Sequence, residues 1–343
     1  MSSADAVAAV LWIGATMYAV FGGADFGAGF WDLVAGGAAR GEQPRQLIDR
    51  SIGPVWEANH VWLIFSFVVL WTGFSEAYAS ITLTLFVPLA VAALGIVLRG
   101  SGFAFRKTVF RTRDRRNFGA AFAISSVLVP YCFGAIAGAI ASGRVPAGGR
   151  AGDPWTSWVN PTSVLGGVLA VVVVAYLAAV YLVQDARRCD DPPMVAYFRR
   201  RAQGAAVVAG VVALVGVFVL RADARSLFDE LTTRALPLVL ASAVCGTSSL
   251  VLLRRDRDRE ARALAIGAVT AVMFGWGVAQ WPYILPDSLK VADAAAPTGT
   301  LQALVVATVA ALFIVLPGFI LLYVLDQRGL LPEEGAASDD RDS

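Results

Sequence analysis

Histidine is almost absent from this 343-residue chain: there is one, His60. Beside it stand only four methionines, Met1, Met17, Met194 and Met273, so few side chains remain to ligate a set of haems, whose axial ligands are usually His, Met, Cys or Tyr. Copper and non-haem iron sites built from imidazole clusters are excluded by the same shortage. Cysteine is scarce as well. Cys132 and Cys245 fall in apolar runs and Cys189 in a basic loop, an odd set without metal-type spacing, so no disulfide framework is implied. Any redox metal centre that this chain serves is expected in another polypeptide. Charge is in short supply too, at 16% of residues against 57% hydrophobic, with a mean hydropathy of +0.65. Soluble globular chains carry more charge and less apolar surface than that. The composition says membrane.

The apolar residues are gathered into long runs, and a helix crossing a bilayer needs roughly 20 of them. Nine segments approach that length: 6–31, 56–72, 77–98, 118–140, 161–183, 202–220, 236–253, 263–285 and 300–325. The expected architecture is therefore an all-α integral membrane domain over 1–325, followed by a short acidic, disordered tail over 326–343. Direction follows from the basic residues. With the amino terminus outside, the inside segments hold Arg40, Arg45 and Arg50, then Arg99, Arg106, Lys107, Arg111, Arg113, Arg115 and Arg116. Further inside segments hold Arg187, Arg188, Arg199, Arg200, Arg201, Arg254, Arg255, Arg257, Arg259, Arg262, Arg328 and Arg341. Outside stand only Arg144, Arg150, Arg221, Arg225, Arg234 and Lys290, a lopsided positive-inside pattern. Topology and anionic lipid headgroups account for the basic loops, and no nucleic-acid partner is implied. No Lys or Arg precedes the first run, which carries Asp5 instead, so a cleaved leader is not expected there.

Polar residues inside such runs need partners or a functional reason, because lipid cannot solvate them. Asp25 comes late in the first run and Glu57 early in the second, which returns in the opposite direction. Both carboxyls are thus expected at similar depth near the cytoplasmic side. Glu57 and His60, three apart, share one helical face, while Trp56, Asn59 and Leu63 lie on an adjacent one. Two readings stand for the carboxyls. They form a relay that loads protons from the cytoplasm, or Glu57 pairs with an inside arginine or His60 and anchors its helix. Gly23 and Gly27, and again Gly134 and Gly138, have the small-xxx-small spacing that lets helices approach closely. The stretch Arg99-Gly-Ser-Gly-Phe-Ala-Phe-Arg106 closes the third run; its arginines either anchor at the interface or pair with Glu57 or Asp25. At the outer end of the eighth run, Trp281 and Tyr283 suit an aromatic belt, and Gln280 with two prolines suggests an irregular end that could cradle a polar headgroup.

Four motifs carry a family resemblance: Gly23-Ala-Asp-Phe-Gly-Ala-Gly29, Ile52-Gly-Pro-Val-Trp-Glu-Ala-Asn-His-Val-Trp-Leu63, the Arg99–Arg106 stretch, and Ala279-Gln-Trp-Pro-Tyr283. Together, and in this order, they resemble subunit II of cytochrome bd-type quinol oxidases along nearly the whole chain. The resemblance implies nine transmembrane helices, arranged as two four-helix bundles plus a peripheral helix, with the N-terminus outside and the C-terminus inside. It implies a bacterial plasma-membrane heterodimer with a haem-bearing subunit I that holds haem b and haem d, and small single-helix accessory subunits are further candidate partners. The complex would oxidise membrane quinol and reduce dioxygen to water, taking its protons from the cytoplasm. This chain would bind no haem or metal itself. Glu57 falls on the family's acidic position in the Trp-acid-x-Asn element, linked to proton transfer, and Asp25 falls on the acid of the glycine stretch. Trp56, Asn59, His60, Trp62, Arg99 and Arg106 would shape or pair with that site. Some members have Asp in place of Glu57 and Gln in place of His60, which argues against His60 as an essential ligand. Quinone has also been placed within subunit II of some members, and Gln280, Trp281 and Tyr283 are the candidate quinone or lipid contacts. Two alternatives remain at this stage: a proton-coupled secondary transporter, and a haem-free membrane anchor of another quinone-linked respiratory complex.

Overall fold

A computed structural model of the chain describes residues 2–52, 56–108 and 112–327; within them, the side chains of 38, 39, 52, 56–58, 106–108, 112–116, 316, 319, 323, 326 and 327 lie outside the description. The first span is one rod from Ser3 to Leu33, made of α1 (Ser3–Met17), a π-helical turn (Tyr18–Gly22) and α2 (Gly23–Leu33). It starts at a capping box in which the Ser2 side chain accepts from the Asp5 N–H and Asp5 accepts from the Ser2 N–H. A charged helix, α3 (Ala38–Ile52), follows, and then α4 (Trp56–Gly73), α5 (Ser75–Thr84) and α6 (Phe86–Thr108). The long helices α7 (Thr112–Ala141), α8 (Pro161–Arg188) and α9 (Pro192–Asp223) come next. Proline opens both α8 and α9, and the Asn160 and Asp191 side chains accept from the backbone N–H groups of Ser163 and Met194. The remainder is α10 (Arg225–Thr232), α11 (Leu236–Arg254), α12 (Asp258–Gln280), a hairpin of β1 (Tyr283–Leu285) and β2 (Leu289–Lys290), α13 (Val291–Ala294) and α14 (Thr298–Gln327). The strands pair antiparallel, Tyr283 with Lys290 and Leu285 with Leu289.

Eight helices among the described residues are long and apolar enough to cross a membrane, and α4 with α5 makes a ninth candidate only if that bent pair crosses as one. Here the structure corrects the expected segments. The 77–98 run is not one helix: α5 turns 119° away from α4, and the third span starts afresh at Phe86. Phe74, fully buried and non-helical at φ −141°, ψ 60°, forms the elbow. The eighth span runs Asp258–Gln280 and stops short of 285, because the chain enters the hairpin at Tyr283. The loop after the first span contains α3, and the last helix continues to Gln327. The acidic tail lies outside the described residues.

Helix packing gathers two apolar cores. One, toward the Leu33 end of the first rod, joins α2, α7, α8, α9, α11 and α12 through residues such as Trp31, Phe122, Leu177, Phe198 and Leu253. The other, at the Ser3 end, brings Val7, Phe74, Ile81, Leu285, Val291 and Leu301 together. Outside them the molecule is greasy: Phe218, Phe313 and Ile314 are about three-quarters exposed, as suits side chains that meet lipid rather than water. Glycines set the closest approaches. A methyl group on Gly27 would overlap the Val174 carbonyl oxygen of α8, and one on Gly134 would overlap that of Gly166. One on Gly138 would meet the Ser163 Cα at 2.6 Å. The small-xxx-small spacing of the sequence is therefore used for backbone contact, α2 and α7 each against α8.

Charged clamps close the ends. At the Ser3 end, Arg144 grips Asp223 through both terminal nitrogens (2.6 and 3.2 Å), and Asp223 also accepts from the Thr162 N–H and hydroxyl. At the other end, buried Asp258 of α12 takes Arg187 of α8 and Arg199 of α9. Asp223→Ala would strand a half-buried guanidinium and a backbone donor at once. We expect it to destabilise the protein by roughly 2–3 kcal/mol, read as a lower unfolding midpoint in detergent; an unchanged midpoint would show that water replaces the clamp.

Candidate functional site

The Gly-rich α2 brings its carboxyl into the interior. Asp25 is 5% exposed, and its Oδ2 accepts a hydrogen bond from Asn59 Nδ2 at 2.8 Å. Asn59 belongs to α4, so the first acid and the Trp-Glu-Ala-Asn element meet as the antiparallel pairing of the first two runs required. From Asp25 to the Leu33 end is eight residues, roughly 12 Å of helix. The carboxyl thus lies about two turns inside the Leu33 end of the first span. Trp56 and Glu57 lie on the first turn of α4, but their side chains fall outside the described residues, as does that of Arg106.

Arg99 does not anchor at the interface. It is 1% exposed, among the most deeply buried side chains of the chain. Its Nη2 donates to the main-chain oxygen of Asp25 at 2.8 Å and its Nε to Ser126 Oγ at 3.1 Å. The guanidinium lies 4.7 Å from the Phe26 ring centroid and 5.0 Å from that of Phe122. Two carbonyl- or hydroxyl-type acceptors and two ring faces thus replace its water shell. Ser126 Oγ donates in turn to the Phe122 carbonyl oxygen at 2.6 Å, and Gly29 leaves the space that Ser126 occupies. The pairing expected from the sequence is an ion pair of Arg99 with Glu57 or Asp25; the contact seen is a hydrogen bond to the Asp25 backbone oxygen, and the Glu57 side chain lies outside the described residues.

His60 follows Asn59 and packs edge-on against Tyr18 (6.1 Å) and Phe26 (5.8 Å). Trp62 turns away, its ring edge-on to Phe65 at 6.2 Å. The cluster therefore collects Asp25, Asn59, His60 and Arg99 from the sequence-predicted set and adds Tyr18, Phe26, Phe122 and Ser126. Tyr18 had a signal: it lies seven residues before Asp25, two turns up the same helix. Ser126 had none, since it sits in an ordinary apolar run. Among the described residues no group of three or more His, Cys, Asp or Glu side chains is placed to hold a metal ion.

The Gln280 group is a separate place at the opposite end of α12. Gln280 is buried and donates to the Ile284 oxygen at 2.8 Å, while its own Oε1 has no partner among the described residues. Trp281 is 41% exposed, Tyr283 lies under Lys290, and Arg234 of the preceding loop donates to the Val278 and Trp281 carbonyls. The two places share no residue.

Comparisons with known proteins agree with one another. Residues 4–326 match the family model described as cytochrome bd terminal oxidase subunit II. The cytochrome bd ubiquinol oxidase subunit 2 of Bacillus subtilis is 24% identical over 251 residues, 73% of this chain and 71% of that one. The cytochrome bd-I ubiquinol oxidase subunit 2 of Escherichia coli is 24% identical over 312 residues, covering 79% and 78% of the two chains. Among solved structures, the bd oxidase from Geobacillus thermodenitrificans superposes with a TM-score of 0.78 at 25% identity, over 95% of this chain and 98% of the matched one. With helices that can span a membrane many times over, this chain belongs to the cytochrome bd terminal oxidase subunit II family, the multi-pass bacterial membrane subunits of a quinol oxidase.

Proposed function

We propose that this chain is the haem-free subunit of a quinol:oxygen oxidoreductase and conducts protons from the cytoplasm toward haems b and d held by a partner subunit I. In this arrangement it crosses the membrane nine times, α4 and α5 counting as one bent span, with the Ser3 end outside. The partner's haems supply the electron transfer and oxygen chemistry. This chain's residues move protons. The reading rests on one observation: a carboxyl buried between two membrane helices, hydrogen-bonded to the Asn59 amide of the Trp-Glu-Ala-Asn element. A carboxyl can take and release a proton, whereas the amide donor fixes its position without competing for that proton. Glu57, at the start of α4 on the Leu33 side, is the group that receives protons from the cytoplasm, and Asp25 is the station after it. His60, packed between two aromatic rings, serves as a wall of the site and not as a ligand. Trp56, Trp62 and Arg106 are assigned to shaping the site's surroundings.

Gln280, Trp281 and Tyr283 form the proposed contact with a quinone or lipid headgroup. The unpartnered Gln280 Oε1 supports this as an acceptor left for an outside donor. Small accessory subunits and lipids complete the complex in this reading.

Glu57→Ala tests the entry point. Quinol-driven oxygen consumption is expected to fall by roughly a hundredfold in a complex that still purifies with its full haem spectrum. Turnover close to the unaltered complex, with assembly intact, would remove Glu57 from the path.

A further inference from the structure

The first span carries an irregularity that its apolar sequence does not need. Between α1 and α2 the helix widens into a π turn over Tyr18–Gly22. Such a turn adds a residue within the helix and re-aims the side chains around it, and it recurs at functional sites. Here it re-aims Tyr18. Long side chains on a helix usually lean toward the N-terminus, whereas an edge of the Tyr18 ring fills the space over Gly22, one turn toward the C-terminus. A Cβ at Gly22 would stand 2.7 Å from the Tyr18 Cε2, so only glycine leaves room for the ring there. The ring then meets His60, Phe26 and Phe133 edge-on, at 6.1, 6.4 and 5.9 Å. Phe26 is the same ring that carries the Arg99 guanidinium.

The Tyr18 ring therefore borders the Asp25–Asn59–Arg99 cluster, between His60, the neighbour of Asn59, and the Phe26 ring that Arg99 covers, and the polar atom it brings there is its hydroxyl. It is buried and has no hydrogen-bond partner among the described residues. A buried phenol that makes no hydrogen bond is costly, so it calls for a partner that the chain itself does not supply. A water molecule is the smallest such partner, and waters in buried polar sites typically bridge two to four groups.

Resting on the proton-path reading above, we propose that Tyr18 is a positioning residue of that path: its hydroxyl anchors the water with which the Asp25 carboxyl exchanges its proton. The phenol can donate to that water or accept from it, so it holds the water in either protonation state of Asp25 without ionising itself. The π turn and Gly22 are the devices that aim it.

The test uses the assembled oxidase in four forms: unaltered, Tyr18→Phe, Asp25→Asn and the double variant. Phenylalanine keeps the ring packing and deletes only the hydroxyl. Tyr18→Phe is expected to lower the maximal quinol-driven rate by roughly tenfold, the kinetic equivalent of one lost hydrogen bond, with an unchanged KM for quinol and an unchanged haem spectrum. The ratio of rates in H2O and D2O should rise, because proton delivery becomes the slow step. The double variant should be no slower than Asp25→Asn alone. If Asp25→Asn is slow and Tyr18→Phe turns over normally with an unchanged isotope ratio, the Tyr18 proposal fails while the proton path stands. If Asp25→Asn itself turns over normally, the path reading fails and this proposal falls with it. Loss of haem or of assembly in Tyr18→Phe would also overturn it, showing the hydroxyl to be a structural tie.

Discussion

Asp25→Asn is expected to cut quinol-driven oxygen consumption by at least about a hundredfold while leaving the haem content and the yield of the complex unchanged. The expectation rests on how little else the substitution alters. Asparagine has the shape of aspartate, and its carbonyl oxygen can accept the hydrogen bond that Asn59 Nδ2 gives at 2.8 Å. Packing is kept, since the position is only 5% exposed and no atom is added. What disappears is the ability to bind and release a proton. A fall in rate with intact haem therefore isolates proton transfer, whereas a normal rate would make Asp25 a structural group. Asp25→Leu is the contrasting variant. It leaves the Asn59 amide without its acceptor inside the protein, so it should lower stability as well as rate.

Gly27→Val should prevent assembly. The Gly27 Cα faces the Val174 carbonyl of α8 so closely that even a methyl group would overlap the oxygen, and Trp31 ties the same two helices by donating to the Ala175 oxygen at 2.8 Å. A backbone oxygen on a long helix cannot swing aside as a side chain can. The helices must part along their length, with loss of contacts through the core around Leu177 and Val180. Overpacking usually costs about 1–3 kcal/mol, and a clash with main chain belongs at or beyond the upper end. The measurement is the amount of haem-bearing complex extracted from membranes, set beside Gly204→Ala. Gly204, in α9, has open space around its Cα, so the alanine variant should assemble normally. Recovery of a normal amount of Gly27→Val complex would show that α2 and α8 are not held in this register.

The spans were legible because lipid imposes a simple requirement on them: a long apolar run has little to be except a helix. The exceptions have physical causes. The 119° turn at Phe74 falls in the gap between the runs 56–72 and 77–98, but the break at Leu85 between α5 and α6 lies inside the second run, where hydropathy carries no mark of it. The turn at Phe74 is held by polar details: Glu76, Ser80 and Thr84, on one face of α5, accept from the N–H groups of Gly148, Gly149 and Gly152. Antiparallel order and matching depth predict Asp25 near Glu57, and the contact seen is with Asn59, two residues further on. The burial of Arg99 was not legible. An arginine at the end of an apolar run beside a basic loop looks interfacial, and only Ser126, Phe26 and Phe122 from other helices make an interior place for it. The π turn was likewise illegible, since Tyr-Ala-Val-Phe-Gly reads as ordinary membrane helix.

The hydrogen bond from Arg99 to residue 25 ends on an atom that every amino acid possesses. The scaffold and the chemistry at that position are thus separable. Asp25→Asn keeps that hydrogen bond, so the guanidinium retains this acceptor beside the two phenyl rings. The proposed proton carrier at residue 25 can therefore be altered in the laboratory while one of the contacts that seat the cation is left in place.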